Sequence, residues 1–231
     1  MMTISRASDL PYPTAARMVE TLIQEGLIER ERDRKHYRPT ALVQTLSHGF
    51  QGHNRLQIGA RPHMEALTRQ LLWPVSFVTR VGDSMIVRDS THGQTSLTFS
   101  NYHPGFSLPI LGCASGLVYL AFAPADERQV ILEGLQLTGH LDPQTALMFG
   151  NDYLPLKIRT DRYAMLTRNP YTLNPGKTSS IAVPLFDRDE LVGALTFIFF
   201  AASMRPGDAV KQYLDPLLAG AAAIERSWAV D

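Results

Sequence analysis

The stretch DLPYPTAARMVETLIQEGLIER, residues 9–30, decides the fold at the start of the chain. Its two prolines predict a turn over Asp9–Pro13. A helix is predicted over Thr14–Glu25, because apolar side chains recur there at helical spacing and Gly26 follows as a stop signal. These apolar positions are Ala15, Val19, Leu22 and Ile23.

A short β-hairpin is predicted directly after this helix. Its strands are Leu27–Arg30 and Lys35–Arg38, joined by a polar turn. The order of turn, helix and hairpin is typical of a winged helix-turn-helix, which places one helix in a DNA groove. The pattern therefore favours gene regulation over catalysis.

Candidate DNA contacts lie at the start of the predicted helix and at the tip of the hairpin. Tyr12, Thr14 and Arg17 belong to the first group, because N–H groups at a helix start point at phosphate and arginine can read guanine. The second group, which could contact phosphates or the minor groove, is Arg32, Arg34 and Lys35. A solvated, charged turn explains the second group equally well.

The composition is that of an ordinary water-soluble chain of 231 residues, with 45% hydrophobic residues and a net charge of zero. Any DNA contact must therefore come from a local basic patch. The single cysteine, Cys113, excludes an internal disulfide and suits a reducing compartment. The longest apolar run, Leu191–Ala202, is too short to span a bilayer. We expect a cytoplasmic protein without a membrane partner.

The rest of the chain mixes helices with strands in no strict alternation, which predicts the α+β class. Predicted strands are Val75–Arg80, Ser84–Asp89, Ser96–Phe99, Ser179–Phe186 and Leu191–Phe200. Predicted helices are Ala41–Phe50, Leu56–Leu71, a buried one within Pro109–Phe122, Ala125–Leu135, Asn151–Leu166 and Gly207–Trp228. The apolar stripe of Leu56–Leu71 fits either the core or a dimer seam, and we favour the seam.

Three motifs resemble those of the IclR family of bacterial transcription regulators. They are residues 10–17 with 22–27 (LPYPTAAR and LIQEGL), residues 108–116 (LPILGCASG), and residues 180–187 with 191–195 (SIAVPLFD and LVGAL). They occur in the family's order over nearly the full length. Shorter matches at 87–92 and 201–204 resemble the branch that includes the regulator of 3-hydroxyphenylpropionate breakdown.

The resemblance implies an N-terminal winged helix-turn-helix (residues 1–39), a linker helix (40–55) and a C-terminal GAF-like α/β effector domain (56–231). It also implies dimers, or dimers of dimers, on palindromic operator DNA. Family members carry another helix before the segment that opens this chain. A late start assignment, a trimmed chain and a real loss of that helix all explain this departure. We expect Leu22 and Ile23 to be partly exposed without it.

The resemblance also implies an effector pocket. The loop before Cys113 and Ala114 would offer backbone N–H groups to a carboxylate. The further implied pocket residues are Phe99, Asn169, Ser180 and Thr196. The neighbouring Tyr102, Phe106 and Leu108 are apolar or aromatic, which favours an aromatic or alkyl acid over a ligand as small as glyoxylate.

Catalytic and metal-binding interpretations find little support. Cys113 has no partnered histidine motif that would activate it as a nucleophile, so a buried thiol is the better interpretation. Asp89, His92 and His103 could approach one another, but no metal-ligand spacing links them. We predict no catalytic residue, no metal and no cofactor.

Two functions are consistent with the sequence. The first is an effector-responsive transcription regulator that binds operator DNA as a homodimer or homotetramer and senses a small organic acid. The second is a small-molecule-binding protein that has lost DNA binding with its first helix and acts by sequestration or hetero-oligomerisation.

Overall fold

A computed structural model describes residues 1–31, 36–45, 51–98, 102–172 and 174–229, with the side chains of residues 51–54 left out. The chain divides into an N-terminal unit, Met1–Asn54, and a C-terminal unit, Arg55–Asp231. No helix in the described ranges has both the length and the hydropathy that crossing a membrane requires.

The N-terminal unit contains the predicted helix and hairpin. Helix α1 (Met2–Ala7) is followed by a turn and by α2 (Tyr12–Gln24). Pro13 fits the first turn of α2, because that turn needs no N–H donor at this position. Strands β1 (Ile28–Arg30) and β2 (Tyr37–Pro39) pair in antiparallel register, and a short helix α3 (Leu42–Thr45) follows.

Few side chains of this unit are buried. Ala15 and Val19 of α2 are the buried apolar residues among its described positions. Leu22 is 39% exposed and Ile23 is half-buried, as we expected for this stripe. The apolar face of α2 is therefore only partly covered by the described residues.

Helix α4 (Gln51–Leu71) presents its apolar stripe to the core of its own chain. Leu56, Ala60, Met64, Leu67 and Leu71 are all buried there. The prediction that this stripe forms a dimer seam is wrong, because the sheet and the last helix of the same chain already cover it.

The C-terminal unit is built on a six-stranded antiparallel sheet, which confirms the α+β class. Its strands are β3 (Val75–Val81), β4 (Ser84–Ser90), β5 (Ser107–Pro109), β6 (Ala164–Leu166), β7 (Thr178–Asp187) and β8 (Glu190–Phe200). Their spatial order is β5-β4-β3-β8-β7-β6. The sheet therefore places β3 and β8 at its centre, flanked by β4 and β7.

Five further helices accompany this sheet in the described residues. They are α5 (Ala114–Phe122), α6 (Ala125–Leu137), α7 (Pro143–Gly150), α8 (Tyr153–Asp161) and α9 (Pro206–Ala229). The predicted helix Asn151–Leu166 is wrong in its last part, since it ends at Asp161 and continues as β6. The predicted strand Ser96–Phe99 is also wrong, because Ser96–Thr98 form bends; Phe99 lies outside the described residues.

The two faces of the sheet carry different layers. Helices α4 and α9 pack against one face, where Gly220 of α9 allows the close approach of Leu67. Helix α5 packs against the other face, where Ala114 and Val118 meet Ala182 and Ala194. Successive residues of a strand point to opposite faces, so each central strand contributes to both layers.

Candidate functional site

A narrow cavity lies where the start of α5 faces the central strands of the sheet. Its volume is about 20 Å³, enough for roughly one water molecule, and it is partly open to solvent. Its apolar walls are Val78, Met85, Val87, Leu108 and Ile198. The start of α5 contributes Cys113, Ala114 and Ser115, and further polar side chains come from Ser76, Tyr102, Asn169, Ser180 and Thr196.

A row of hydroxyl groups crosses the sheet beneath the cavity. The strand register pairs Ser76 of β3 with Thr196 of β8, and Ser180 of β7 with Ile198. Ser180 and Thr196 are therefore diagonal neighbours on one face. Three strands thus bring three hydroxyl side chains to the same cavity.

The hydroxyl of Thr196 has no hydrogen-bond partner among the described residues. The residue is only 6% exposed. The neighbouring Ser76 differs, because its hydroxyl donates to Ser90 Oγ at 3.0 Å. A buried hydroxyl without a partner destabilises a folded chain, so Thr196 is a site where a bound molecule would supply a missing hydrogen bond.

The first turn of α5, which carries backbone donors without a helical acceptor, also lines the cavity. A 3₁₀ turn over Ile110–Gly112 leads to Cys113, which has extended backbone angles and precedes the helix. The N–H groups of Ala114 and Ser115 have no acceptor within the helix, because they belong to its first turn. A side chain at Gly116 would collide with the Ile110 carbonyl oxygen, so this glycine is needed for the close turn.

The Cys113 thiol is buried in this turn and stays protonated. Burial raises its pKa to about 11. Its Sγ accepts a hydrogen bond from Ser115 Oγ at 3.3 Å and donates to the Pro109 carbonyl at 3.4 Å. A thiol with a raised pKa is a poor nucleophile, so Cys113 acts in this site as a neutral wall residue.

The side chain of Asn169 holds two backbone segments together at the edge of the cavity. Its Nδ2 donates to the Gly112 carbonyl at 3.1 Å, and its Oδ1 accepts from the Tyr171 N–H at 2.8 Å. The ring of Tyr171 lies against Gly112, where an added Cβ would come within 2.6 Å of it. The amide of Asn169 is therefore already engaged within the chain.

The structure places five of the predicted effector-binding residues around one cavity: Cys113, Ala114, Asn169, Ser180 and Thr196. The sixth, Phe99, lies outside the described residues. Among the predicted apolar neighbours, Tyr102 and Leu108 line the cavity, whereas Phe106 packs against the Tyr102 ring with centroids 5.4 Å apart.

Sequence reasoning missed several residues of this cavity, chiefly Ser76, Ser115 and Ile198. A signal existed for Ser76, since a serine within the apolar run Val75–Val78 interrupts a buried strand. Its place opposite Thr196 depends on strand register, which the pattern of one strand does not define.

Asp89, His92 and His103 do not form a metal site. The Asp89 carboxylate pairs with Arg61 at 2.6 Å, and the His103 ring bonds to the Pro104 carbonyl. Across the described positions, no group of three or more histidine, cysteine, aspartate or glutamate side chains is arranged to hold a metal ion.

In the N-terminal unit, Thr14 and Arg17 lie on the helix face opposite Ala15 and Val19. Arg17 is exposed and Thr14 is half-buried. Their spacing of three residues makes them neighbours on the surface of α2. Tyr12 is 52% exposed, but it begins the helix on the side of Ala15 and Val19. Thr14 and Arg17 therefore share one face of α2, whereas Tyr12 lies on a different face.

The predicted contacts at the hairpin tip, Arg32, Arg34 and Lys35, lie outside the described residues. Arg38, at the base of the hairpin, pairs with Glu29 across the strands at 2.6 Å. Both side chains are more than half exposed, so this ion pair adds little stability.

Two family models match the chain. That of the bacterial transcriptional regulator IclR C-terminal domain matches residues 51–226, and that of the IclR helix-turn-helix domain matches residues 1–32. A curated relative, the HTH-type transcriptional regulator TsaQ1/TsaQ2 of Comamonas testosteroni, is 29% identical over 128 residues, 55% of this chain and 46% of the relative. The chain spans about half the length of the curated relatives it matches.

Solved structures share the fold. One from Rhodococcus sp. RHA1, described as a transcriptional regulator, has a TM-score of 0.71 at 24% identity. The match covers 98% of this chain and 88% of the Rhodococcus chain. An IclR homologue from Microbacterium hydrocarbonoxydans, complexed with 4-hydroxybenzoate, has a TM-score of 0.70 at 21% identity and covers 98% of this chain and 90% of its own.

The relatives and structural neighbours are named as transcriptional regulators and not as enzymes. Similarity to the 3-hydroxyphenylpropionate branch stays a prediction, since these matches do not address it. The C-terminal match alone covers more than half of the sequence. The chain therefore belongs to the IclR family of bacterial transcriptional regulators.

Proposed function

We propose that this regulator senses a small organic carboxylic acid in the cavity beneath α5 and responds by changing its binding to operator DNA. It acts in the cytoplasm as a homodimer or homotetramer. Ligand binding shifts DNA binding only if the ligand prefers one arrangement of the chain over another. Residues 1–39 would read DNA, residues 40–55 would link the two functions and residues 56–231 would bind the acid.

The main support for this proposal is that hydrogen-bond donors without a partner occur together at the cavity. Ala114 and Ser115 line it with N–H groups of the first turn of α5, which have no acceptor within the helix, and Thr196 brings an unpartnered buried hydroxyl from β8. A carboxylate carries two acceptor oxygens and is favoured at a helix N-terminus. An acid would therefore satisfy donors that the described residues leave unused.

The walls of the cavity support an aromatic or alkyl acid. Val78, Met85, Val87 and Ile198 supply apolar surface, and Tyr102 supplies an aromatic ring. The Microbacterium hydrocarbonoxydans homologue carries 4-hydroxybenzoate, which is an acid of this kind. Among the predicted lining residues, Cys113, Ala114, Ser180 and Thr196 would contact the ligand, while Asn169 would act by positioning Gly112.

Isothermal calorimetry with the full chain tests the ligand class. The panel holds benzoate, 4-hydroxybenzoate, 3-phenylpropionate, hexanoate and pyruvate. We expect binding of the aromatic or alkyl acids and weak or no binding of pyruvate. Binding of pyruvate alone would contradict the preferred class, and no binding by any acid would contradict the proposal.

For DNA binding, Arg17 and Thr14 on the exposed face of α2 are the proposed contacts within the described residues, with Tyr12 at the helix start. The wing residues Arg32, Arg34 and Lys35 would add phosphate contacts. Selection from a randomised DNA pool, followed by gel shift, should give one enriched palindromic site. Arg17→Ala should weaken that complex by about tenfold or more, since a bidentate arginine–guanine contact contributes about 1–3 kcal/mol.

The alternative is a ligand-binding regulator that does not itself bind DNA. It is favoured by the small buried core of the N-terminal unit, in which Met18 and Leu22 are exposed. The gel shift separates the two functions. A complex that weakens steeply with salt shows phosphate contact, whereas ligand binding without any enriched DNA site would favour sequestration or pairing with a homologue.

A further inference from the structure

All of the described residues that line the cavity beneath α5 are uncharged. Lysine, arginine, histidine, aspartate and glutamate are absent from this described lining. The charged residues of β3 and β4 are Arg80, Arg88 and Asp89, and none of them is among the described lining residues; Arg80 pairs with Glu127 at 3.0 Å, and Asp89 pairs with Arg61. Residues 99–101 and 173, which the structure does not describe, are Phe, Ser, Asn and Leu. These four residues carry no charge.

The two titratable groups of the lining, Tyr102 and Cys113, are also neutral near pH 7. Burial raises the pKa of each above its ordinary value. The Tyr102 hydroxyl bonds to Thr178 Oγ1 at 2.8 Å, and the Cys113 thiol donates to a backbone carbonyl. Neither group can therefore neutralise a cationic ligand or repel an anionic one.

The donors that remain suit one anionic group. They belong to residues at the start of α5 and on β8: Ala114 and Ser115, whose N–H groups lie in a first helical turn without a helical acceptor, and Thr196, whose hydroxyl is unpartnered, all line the cavity. The partial positive charge of a helix N-terminus stabilises a single carboxylate there. On the strands opposite, Val78, Met85 and Val87 offer only apolar surface.

A second charge on the ligand would meet these apolar walls. An ion removed from water without a partner is strongly disfavoured. Building on the carboxylic acid effector proposed above, we propose that this cavity selects monocarboxylates with an uncharged body. It excludes ligands that carry a second charged group, such as dicarboxylates and amino acids.

Calorimetry on the full chain with charge-matched pairs tests this selection. Terephthalate and 4-carbamoylbenzoate have nearly the same size and shape, but the first carries two negative charges and the second one. Adipate and its monoamide form the corresponding alkyl pair. We expect the diacid of the better-binding pair to bind roughly thirtyfold more weakly or worse than its monoamide, which is about 2 kcal/mol.

Each outcome has a defined meaning. If a diacid binds within about threefold of its monoamide, the selection for one charge is overturned and the acid-sensing proposal stands. If neither benzoate nor any member of the two pairs binds, both proposals are overturned. If the monoamide binds and the diacid does not, the selection is supported, because size and shape are matched.

A gain-of-function variant gives an independent test. Leu108 lies on β5 opposite Met85 and is half-buried, so a lysine there can run its stem along the wall. Leu108→Lys should raise the affinity for terephthalate at least roughly tenfold over Leu108→Met, because it supplies the missing counter-charge. Equal terephthalate binding by two folded variants would count against the proposal.

Discussion

The two faces of the central sheet are formed by the same strands, yet different structures lie against them. In β8, Leu195, Phe197 and Phe199 point to an apolar core under α4 and α9. Between them, Thr196 and Ile198 point to the cavity under α5. Neighbouring residues of one strand therefore have different surroundings, and we expect that stability and the proposed ligand binding can be altered separately.

The helices explain this difference. Helix α9 brings large side chains to its face, and the rings of Phe197 and Tyr213 stack at 4.6 Å. Helix α5 brings Ala114, Val118 and Ala121, which pack closely against Ala182 and Ala194 at one end. The small residues leave room where the helix begins, and hydroxyl groups of the sheet face that room.

The largest effect is expected from Phe197→Ala on the core face. It removes a fully buried ring from the stack with Tyr213 and should lower the free energy of unfolding by about 3–5 kcal/mol. Ile198→Ala, one residue further, should lower it by less than half as much, because its side chain already borders a cavity. Chemical denaturation measures both, and equal losses would remove the distinction between the faces.

The next effect concerns alkaline pH. Burial raises the pKa of Cys113 from an ordinary value near 9 to about 11 in the folded chain. Between these values the folded state holds the thiol proton and the unfolded state releases it. Stability from this group is therefore complete below pH 9 and falls by roughly 2–3 kcal/mol as the pH rises to 11.

Cys113→Ala provides the control for this pH dependence. Other groups titrate in the same range, so the informative quantity is the difference in unfolding free energy between the two proteins. Between pH 9 and 11 the unmodified chain should lose stability relative to Cys113→Ala, because only the unmodified chain carries the thiol. A constant difference over this range would contradict the account, because it would show that burial does not raise the pKa of the Cys113 thiol.

Asn169→Ala should have a smaller effect on stability, about 1–2 kcal/mol, because the Gly112 carbonyl and the Tyr171 N–H lose their partner. Its matched control is Asn151→Ala, since Asn151 accepts from the N–H two residues on but is exposed. Thermal denaturation compares the two variants. We expect only Asn169→Ala to weaken acid binding as well, because it alone releases the turn before α5.

The sequence was most informative where apolar runs are long or local signals are strong. The helix α2 with its proline and glycine, and the strands β7 and β8, follow from spacing alone. Helix α7 was missed, although Asp142 followed by Pro143 is a clear start signal, and the Asp142 side chain accepts from two N–H groups there. Strand β6 has three residues, which are too few to show a period.

The cavity was predictable only in part. Five lining residues came from resemblance to a family, whereas the spacing of residues in the chain does not bring Cys113, Asn169 and Thr196 together. The contribution of Ser76 depends on its pairing with Thr196 across β3 and β8. Register of this kind arises from packing across the whole sheet, and so it needs the structure.

The most direct test of acid binding on the α5 face compares two buried hydroxyls. Thr196 and Thr172 are each 6% exposed and lack a hydrogen-bond partner among the described residues, but only Thr196 lines the cavity. Thr196→Val and Thr172→Val should each keep or raise the free energy of unfolding, because the buried hydroxyl that each removes has no partner and destabilises the folded chain.

The measurement is calorimetric titration of both variants and the unmodified chain with the acid that binds best. We predict that Thr196→Val weakens binding about five- to tenfold, the usual contribution of one hydrogen bond, and that Thr172→Val binds as the unmodified chain does. Unchanged affinity in Thr196→Val, or an equal loss in both variants, would contradict the assignment of the cavity as the acid site.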